Sequence, residues 1–211
     1  MLHVAHKYRD RLAGLFFPAL FLLTACGSVP QPSFYALNIP ENTGRNARSP
    51  IPVRLGIERF ESGILYSDDR LIYRDSEFEV KHWNYQHWVA PPHILIPEYL
   101  QEYLRTREIF EEVVSYPLNR QVQYVLSGKV LSFEERYTPD GLIARVGFEA
   151  KIIDLRGGET IWKNEYNKEV PIPEKSIISI VAAMSDGIRL CFEGVVEDIR
   201  KDLDTKLSVM R

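Results

Sequence analysis

The 211-residue chain has only two cysteines, Cys26 and Cys191, which excludes a small domain held together by disulfides. It has no excess of basic residues: 26 Lys and Arg stand against 29 Asp and Glu, a net charge of -3. A nucleic-acid-binding domain would normally cluster a Lys/Arg surplus on one face. Long apolar runs are missing too. The densest, Leu12 to Leu23, stops at twelve residues, where a bilayer-spanning helix needs about 20. Absent as well are a G-x-S-x-G elbow, an H-E-x-x-H helix and a G-x-G-x-x-G turn. Ser127-Gly128-Lys129-Val130 touches on a P-loop but lacks its earlier glycine, and Val130 stands where a hydroxyl would hold magnesium. No internal repeat is present. With 45% apolar residues, the remainder describes one globular domain of modest size.

What is present begins at the amino terminus. Lys7, Arg9 and Arg11 precede the twelve-residue run, which is broken only by Gly14 and Pro18. That is the length and flank of a secretory h-region. It ends in Leu23-Thr24-Ala25-Cys26, which resembles a bacterial lipobox. The resemblance implies a signal peptide over residues 1–25, cleavage before Cys26, and a lipid on that cysteine: a diacylglyceryl thioether and an acylated amino terminus. Two or more acyl chains anchor a protein stably, where one does so only marginally. Gly27, in place of an aspartate, points to the outer membrane of a Gram-negative cell, on its periplasmic side. Removing residues 1–25 takes away Lys7, Arg9, Arg11 and Asp10, leaving 23 basic and 28 acidic residues. An acidic domain has no polybasic face for anionic lipid, so the lipid must do the anchoring.

Residues 26–33, rich in Pro, Ser and Gly, read as a lipidated tether, and residues 34–211 as the domain. Phe34 to Leu37 reads as a strand, Pro40 to Pro52 as a loop, and Val53 to Phe60 as a second strand. Leu71 to Arg74 and Phe78 to Trp83 read as a hairpin. From Pro92 to about Arg107 the spacing of Ile94, Leu95, Tyr99, Leu100, Tyr103 and Leu104 predicts a helix opened by Pro91-Pro92. Phe110 to Val114 is a strand or a turn. Gln123 to Glu134 and Arg145 to Ile153 are long strands, the second with Val146, Phe148, Ala150 and Ile152 alternating against polar residues. Pro139-Asp140-Gly141 and Asp154 to Gly158 turn the chain, and Thr160 to Tyr166 returns it. Ile177, Val181, Met184, Ile188, Cys191, Val195, Ile199 and Leu203 then mark one face of a long helix, from about Lys175 to Leu207. The expected fold is a single α/β domain whose mixed, mostly antiparallel sheet is flanked by helices.

Candidate chemistry is sparse. His82, His87 and His93 are spaced by five and six residues, which does not bring them to one helix face, so no metal site is expected. Asp68-Asp69 and Glu111-Glu112 read as solvated loop or edge acids. Cys191 lies in an apolar helical stripe and is expected to be a small buried hydrophobe. No catalytic residue and no cofactor other than the Cys26 lipid is assigned, and the chain is not expected to be an enzyme.

The informative stretch is Trp83 to Val114. Trp83, Tyr85 and Trp88 fall within six residues and lead into Ala90-Pro91-Pro92. A corner of Trp88, Pro91 and Pro92 is a candidate for core packing or, if exposed, for docking a partner. Together with the lipobox, Phe34-Tyr35-Ala36-Leu37, Leu71-Ile72-Tyr73-Arg74, His87-Trp88-Val89-Ala90-Pro91-Pro92, Leu100, Leu104, Phe110, Val113, Asp154, Gly157 and Trp162, this order resembles the ABC-type transport auxiliary lipoproteins. That family usually shows an arginine before the tryptophan and an acid between the alanine and the prolines. This chain has His87 and no intervening acid.

The resemblance implies a fold like the TolB amino-terminal domain. It also implies service to an inner-membrane ABC transporter whose MCE-domain protein carries lipids or other hydrophobic molecules through the periplasm, with the lipoprotein docked at the far end, as a ring of subunits or singly. An outer-membrane assembly or cell-wall-synthase accessory lipoprotein would share the anchor and the fold. An envelope hydrolase is the enzymatic alternative.

Overall fold

A computed structural model describes residues 30–40 and 49–209 of the chain, with side chains up to 203. The signal sequence, the lipobox and Cys26 lie outside the described residues, as does most of the loop before the second strand. From Pro32 onward the chain forms one compact unit. Its elements are β1 (Ser33–Tyr35), β2 (Ile51–Ile57), β3 (Glu61–Ser62), a one-turn 3-10 helix (Ile64–Tyr66), β4 (Arg70–Arg74) and β5 (Lys81–Trp88). There follow α1 (Pro92–Thr106), β6 (Phe110–Ser115), β7 (Tyr124–Thr138), β8 (Gly141–Asp154), β9 (Glu159–Pro171) and α2 (Ile177–Val209).

The nine strands form one mixed sheet with β7 as its trunk. Along one path the order is β1-β5-β4-β7-β2-β6, while β8 pairs with β7 and β9 with β8. The long β7–β8 and β8–β9 ladders are antiparallel and are closed by tight turns, with Gly141 (φ 129°) and Gly158 (φ 72°) in backbone conformations that a side chain disfavours. The shorter β2–β6, β2–β7, β4–β7 and β1–β5 ladders are parallel. Antiparallel pairing therefore supplies most of the paired residues, and parallel pairing most of the connections between distant parts of the chain.

The period-two pattern in β8 has a direct structural result. Ala144, Val146, Phe148, Ala150 and Ile152 all face inward and are fully buried. The apolar stripe of α2 packs on this face: Met184, Ile188, Cys191, Val195, Ile199 and Leu203 are buried, and Phe192 contacts both Phe148 and Tyr103. Two small residues set the helix-to-sheet distance. A Cβ on Gly187 would come within 2.6 Å of Val146 Cγ2, and one on Gly194 within 3.0 Å of the Tyr166 ring. A hydrogen bond from Tyr166 Oη to Asp198 Oδ2 (2.8 Å) pins β9 to the helix beside this contact.

Helix α1 begins on Pro92 and contains a second proline, Pro97. Proline lacks an N–H, so the carbonyl four residues earlier, that of His93, is left without its helical donor. The N–H of Phe60, just beyond β2, donates to that oxygen at 3.0 Å. The interruption thus ties α1 to the carboxyl end of β2.

Several strand boundaries differ from the sequence expectation, β7 and β9 running on to Thr138 and Pro171. The hairpin from β4 to β5 is real, but β5 runs from Lys81 to Trp88 instead of ending at Trp83, and Phe78 lies in the turn, 97% exposed. Asp75, Ser76, Glu77 and Glu79 around Phe78 favour a wide turn over strand pairing. Of the strand or turn expected at Phe110 to Val114, the strand is what forms, over Phe110–Ser115, because β2 offers it a parallel partner. The second strand covers Ile51–Ile57, starting and ending earlier than the apolar pattern suggests.

Candidate functional site

The Trp/Pro corner forms where β5 leaves the sheet. The Trp88 N–H donates to the Asp69 carbonyl at 2.7 Å, and the Val89 N–H to the Tyr35 carbonyl at 2.9 Å. The end of β5 is thereby clamped between β1 and the lead-in to β4. The Pro91 carbonyl accepts from the N–H groups of Ile94 and Leu95, both at 2.9 Å, which starts α1. Trp88 points inward, 1% exposed, with its ring centroid 4.9 Å from that of Phe133 on β7. Pro92 is buried and Pro91 half-buried. Trp88 therefore packs in the core, while Pro91 of the same corner keeps part of its surface. The reason is the pleat at the end of β5: Trp88 packs on Phe133 of β7, its neighbour His87 turns the other way beside Phe34, and Tyr85 and Val89 on either side are exposed.

With Phe34 these exposed residues gather apolar surface at the β1 edge. Phe34 of β1 is the register partner of His87, with ring centroids 5.5 Å apart. Phe34, Tyr85 and Val89 are 60%, 40% and 54% exposed. Instead of an arginine paired with an acid from the Ala-Pro link, this chain has His87, whose Nδ1 lies 2.9 Å from Asp69 Oδ1. Asp68 is gripped by Arg70 at 2.6 Å, and that guanidinium holds its carboxyl well below the usual carboxylate range. Neither acid is simply solvated.

A groove of about 450 Å³ lies at the other end of the path, where β2 and β6 finish beside α1. Ile57, Arg59, Ile94, Pro97, Tyr116 and Leu118 line it. Its floor is closed by the Tyr116 N–H donating to the Ile57 carbonyl (2.8 Å) and the Ser115 hydroxyl donating to Gln101 Oε1 (2.9 Å). Gly56 permits this closure, because a Cβ there would stand 3.0 Å from Tyr116 Cβ.

Apart from Ser185 on α2, the buried polar residues lie on β7. Glu134 accepts from Tyr66 Oη (3.0 Å) and Arg74 Nε (2.8 Å), which fastens the 3-10 helix and β4 to the trunk. Burial and the neighbouring carboxylate push the Tyr66 hydroxyl up to about 12. Glu135, 1% exposed, accepts from Trp83 Nε1 at 3.3 Å, and among the described residues its Oε1 meets no partner; burial raises its pKa. Two adjacent acids directly after Phe133 in a long strand are the sequence signal for these residues. Cys191 is fully buried and its thiol is pushed up to about 12 by burial.

The three histidines do not converge. His87 meets Asp69, His93 Nδ1 lies 3.4 Å from the Tyr66 carbonyl, and His82 Nδ1 is buried with no partner among the described residues. Among the described residues, no group of three or more His, Cys, Asp or Glu could hold a metal ion. The Gly128-Lys129 pair is part of β7, where a Cβ on Gly128 would fall 2.3 Å from the Glu149 carbonyl oxygen. That close approach of two strands accounts for the glycine. No helix among the described residues is long and apolar enough to cross a membrane.

The model of one protein family, the ABC-type transport auxiliary lipoprotein component, matches residues 35–195, from β1 to well inside α2. The chain belongs to this family. It is thus an auxiliary component of ABC-type transport, and the transporter is the partner this implies. The same fold occurs in the crystal structure of protein XCC0632 from Xanthomonas campestris, at 13% identity and a TM-score of 0.71 over 85% of this chain and all of that one. It occurs also in the crystal structure of an uncharacterized protein at 19% identity and a TM-score of 0.64, covering 81% of this chain and 99% of the other. No curated protein sequence matches the chain.

Proposed function

We propose that this auxiliary lipoprotein is anchored by Cys26 in the outer membrane and faces the periplasm. There it serves an ABC transporter whose MCE-domain component moves lipids or other hydrophobic molecules across the envelope. The observation that carries the reading is the family match over residues 35–195 with a lipobox seven residues ahead of Ser33. Its role is non-catalytic: the work is to hold a rigid domain near the membrane and present a contact surface.

Affinity capture of the lipidated protein from membranes tests the partner. An MCE-domain protein and its permease should be recovered with it; recovery of outer-membrane assembly or cell-wall-synthase proteins in their place would overturn the reading. The anchor is tested separately. Cys26→Ala should leave an unprocessed precursor, and a variant still cleaved and retained on the outer membrane would refute lipidation at that residue.

A further inference from the structure

We infer that the face formed by Phe34, Tyr85 and Val89 rests on the lipid surface that holds the anchor, so the β1 edge of the domain lies against the membrane. This rests on the Cys26 anchor proposed above and adds to it a surface and an orientation.

The first argument is reach. Cys26 and Ser33 are seven residues apart, and a fully extended chain spans at most ~3.6 Å per residue, giving about 25 Å between the lipid and the start of β1. A domain of this length has a radius of gyration of about 16 Å and is about 40 Å across. The tether is shorter than the domain, so the pole that carries β1 is kept near the bilayer whatever the tether's conformation. A short tether also gives a local concentration in the millimolar range, at which even a weak surface contact is occupied.

The second argument is composition. β1 is an edge strand, and Phe34 is the second residue of the folded strand that follows the tether. Phe34 and Val89 are more than half exposed, and Tyr85 presents a ring with a polar tip. Aromatic rings of this kind favour the boundary between headgroups and acyl chains. The acids beside the face are held by cations or hydrogen-bond partners, Asp69 by His87 and Asp68 by Arg70, which reduces repulsion from an anionic lipid surface. The opposite end of the sheet path, with Leu118 at 87% exposure beyond β6, is the end turned away.

The test uses the full lipidated protein in phospholipid vesicles, with an environment-sensitive dye on Val89→Cys or, as a second site, Tyr85→Cys. Leu118→Cys is the distant control. Cys191 is fully buried and the Cys26 thiol is consumed by the lipid, so each variant carries one reactive thiol. Dye at positions 89 and 85 should lose emission to lipids brominated in the acyl chain and be protected from iodide in the water; dye at position 118 should show the reverse. If all three sites are open to iodide on protein that floats with the vesicles, the contact is refuted while the anchor stands. Protein that does not float refutes the anchor, and the contact with it. Protection at position 89 that rises with protein-to-lipid ratio, without quenching by brominated lipid, assigns the face to a second copy and also overturns the inference.

Discussion

Replacing Trp88 by alanine separates a core corner from a docking corner, because the two roles predict opposite results. An aromatic side chain of this size buries ~150–250 Å², and Trp88 is 1% exposed. At about 25 cal/mol per Å² the transfer contribution is roughly 4–6 kcal/mol. Residual burial in the unfolded chain reduces this by roughly 10–40%. Loss of the ring packed on Phe133 leaves a cavity and adds some of it back, so the expected cost is about 3–5 kcal/mol. With a urea slope of about 2 kcal/mol per M, the unfolding midpoint should fall by about 2 M. The assay is urea unfolding of the intact protein followed by far-ultraviolet circular dichroism. Val89→Ala, one residue along and largely exposed, should change stability by no more than about 0.5 kcal/mol. If Trp88→Ala unfolds within about 1 kcal/mol of the parent but no longer captures the transporter, the burial argument is wrong.

Two further outcomes are expected. Gly128→Ala puts a methyl group 2.3 Å from the Glu149 carbonyl oxygen, a backbone atom that cannot swing aside, so β7 and β8 must separate locally at a cost of about 1–3 kcal/mol or more; a thermal midpoint equal to the parent's would refute the close approach. Glu135 has a raised pKa, so the folded state holds its proton more tightly than the unfolded chain, and that stabilisation is complete below about 4.5 and lost as pH rises through the folded value. Glu135→Gln, which cannot ionise, should match the parent most closely near pH 4 and gain on it as pH rises toward 8 in thermal scans, and a parent that gains on the variant as pH rises would overturn the assignment.

Much of the fold can be read from the chain because its largest parts are local. The β8 alternation and the α2 stripe each lie within one element, and the turns between β7, β8 and β9 carry their own glycines. The parallel ladders carry no such signal. Leu55 pairs with Tyr124, and nothing in either strand names the other. Trp88 marks the boundary of what alternation reveals: the pattern says that His87 and Trp88 face opposite ways, but only the trunk strand with Phe133 decides which way is inward. Pro97 looks like a helix defect until Phe60 is found on the carbonyl it frees. The groove between β2, β6 and α1 is invisible in sequence for the same reason, since its walls come from segments about 20 to 60 residues apart.

The first ladder also has a mechanical meaning. Any pull on the segment before Ser33 enters the fold through β1, which is three residues long and paired on one side only, with β5. Under tension such a strand peels before anything deeper yields, releasing roughly 10 Å of slack. The load then reaches Leu37, which is buried, and Asn38, whose N–H is held by the Ser185 hydroxyl on α2 at 3.0 Å. The domain therefore has a short extensible leader in series with a stiff body. Strain between a moving membrane and a bound transporter would be taken up at β1 before it could disturb the sheet.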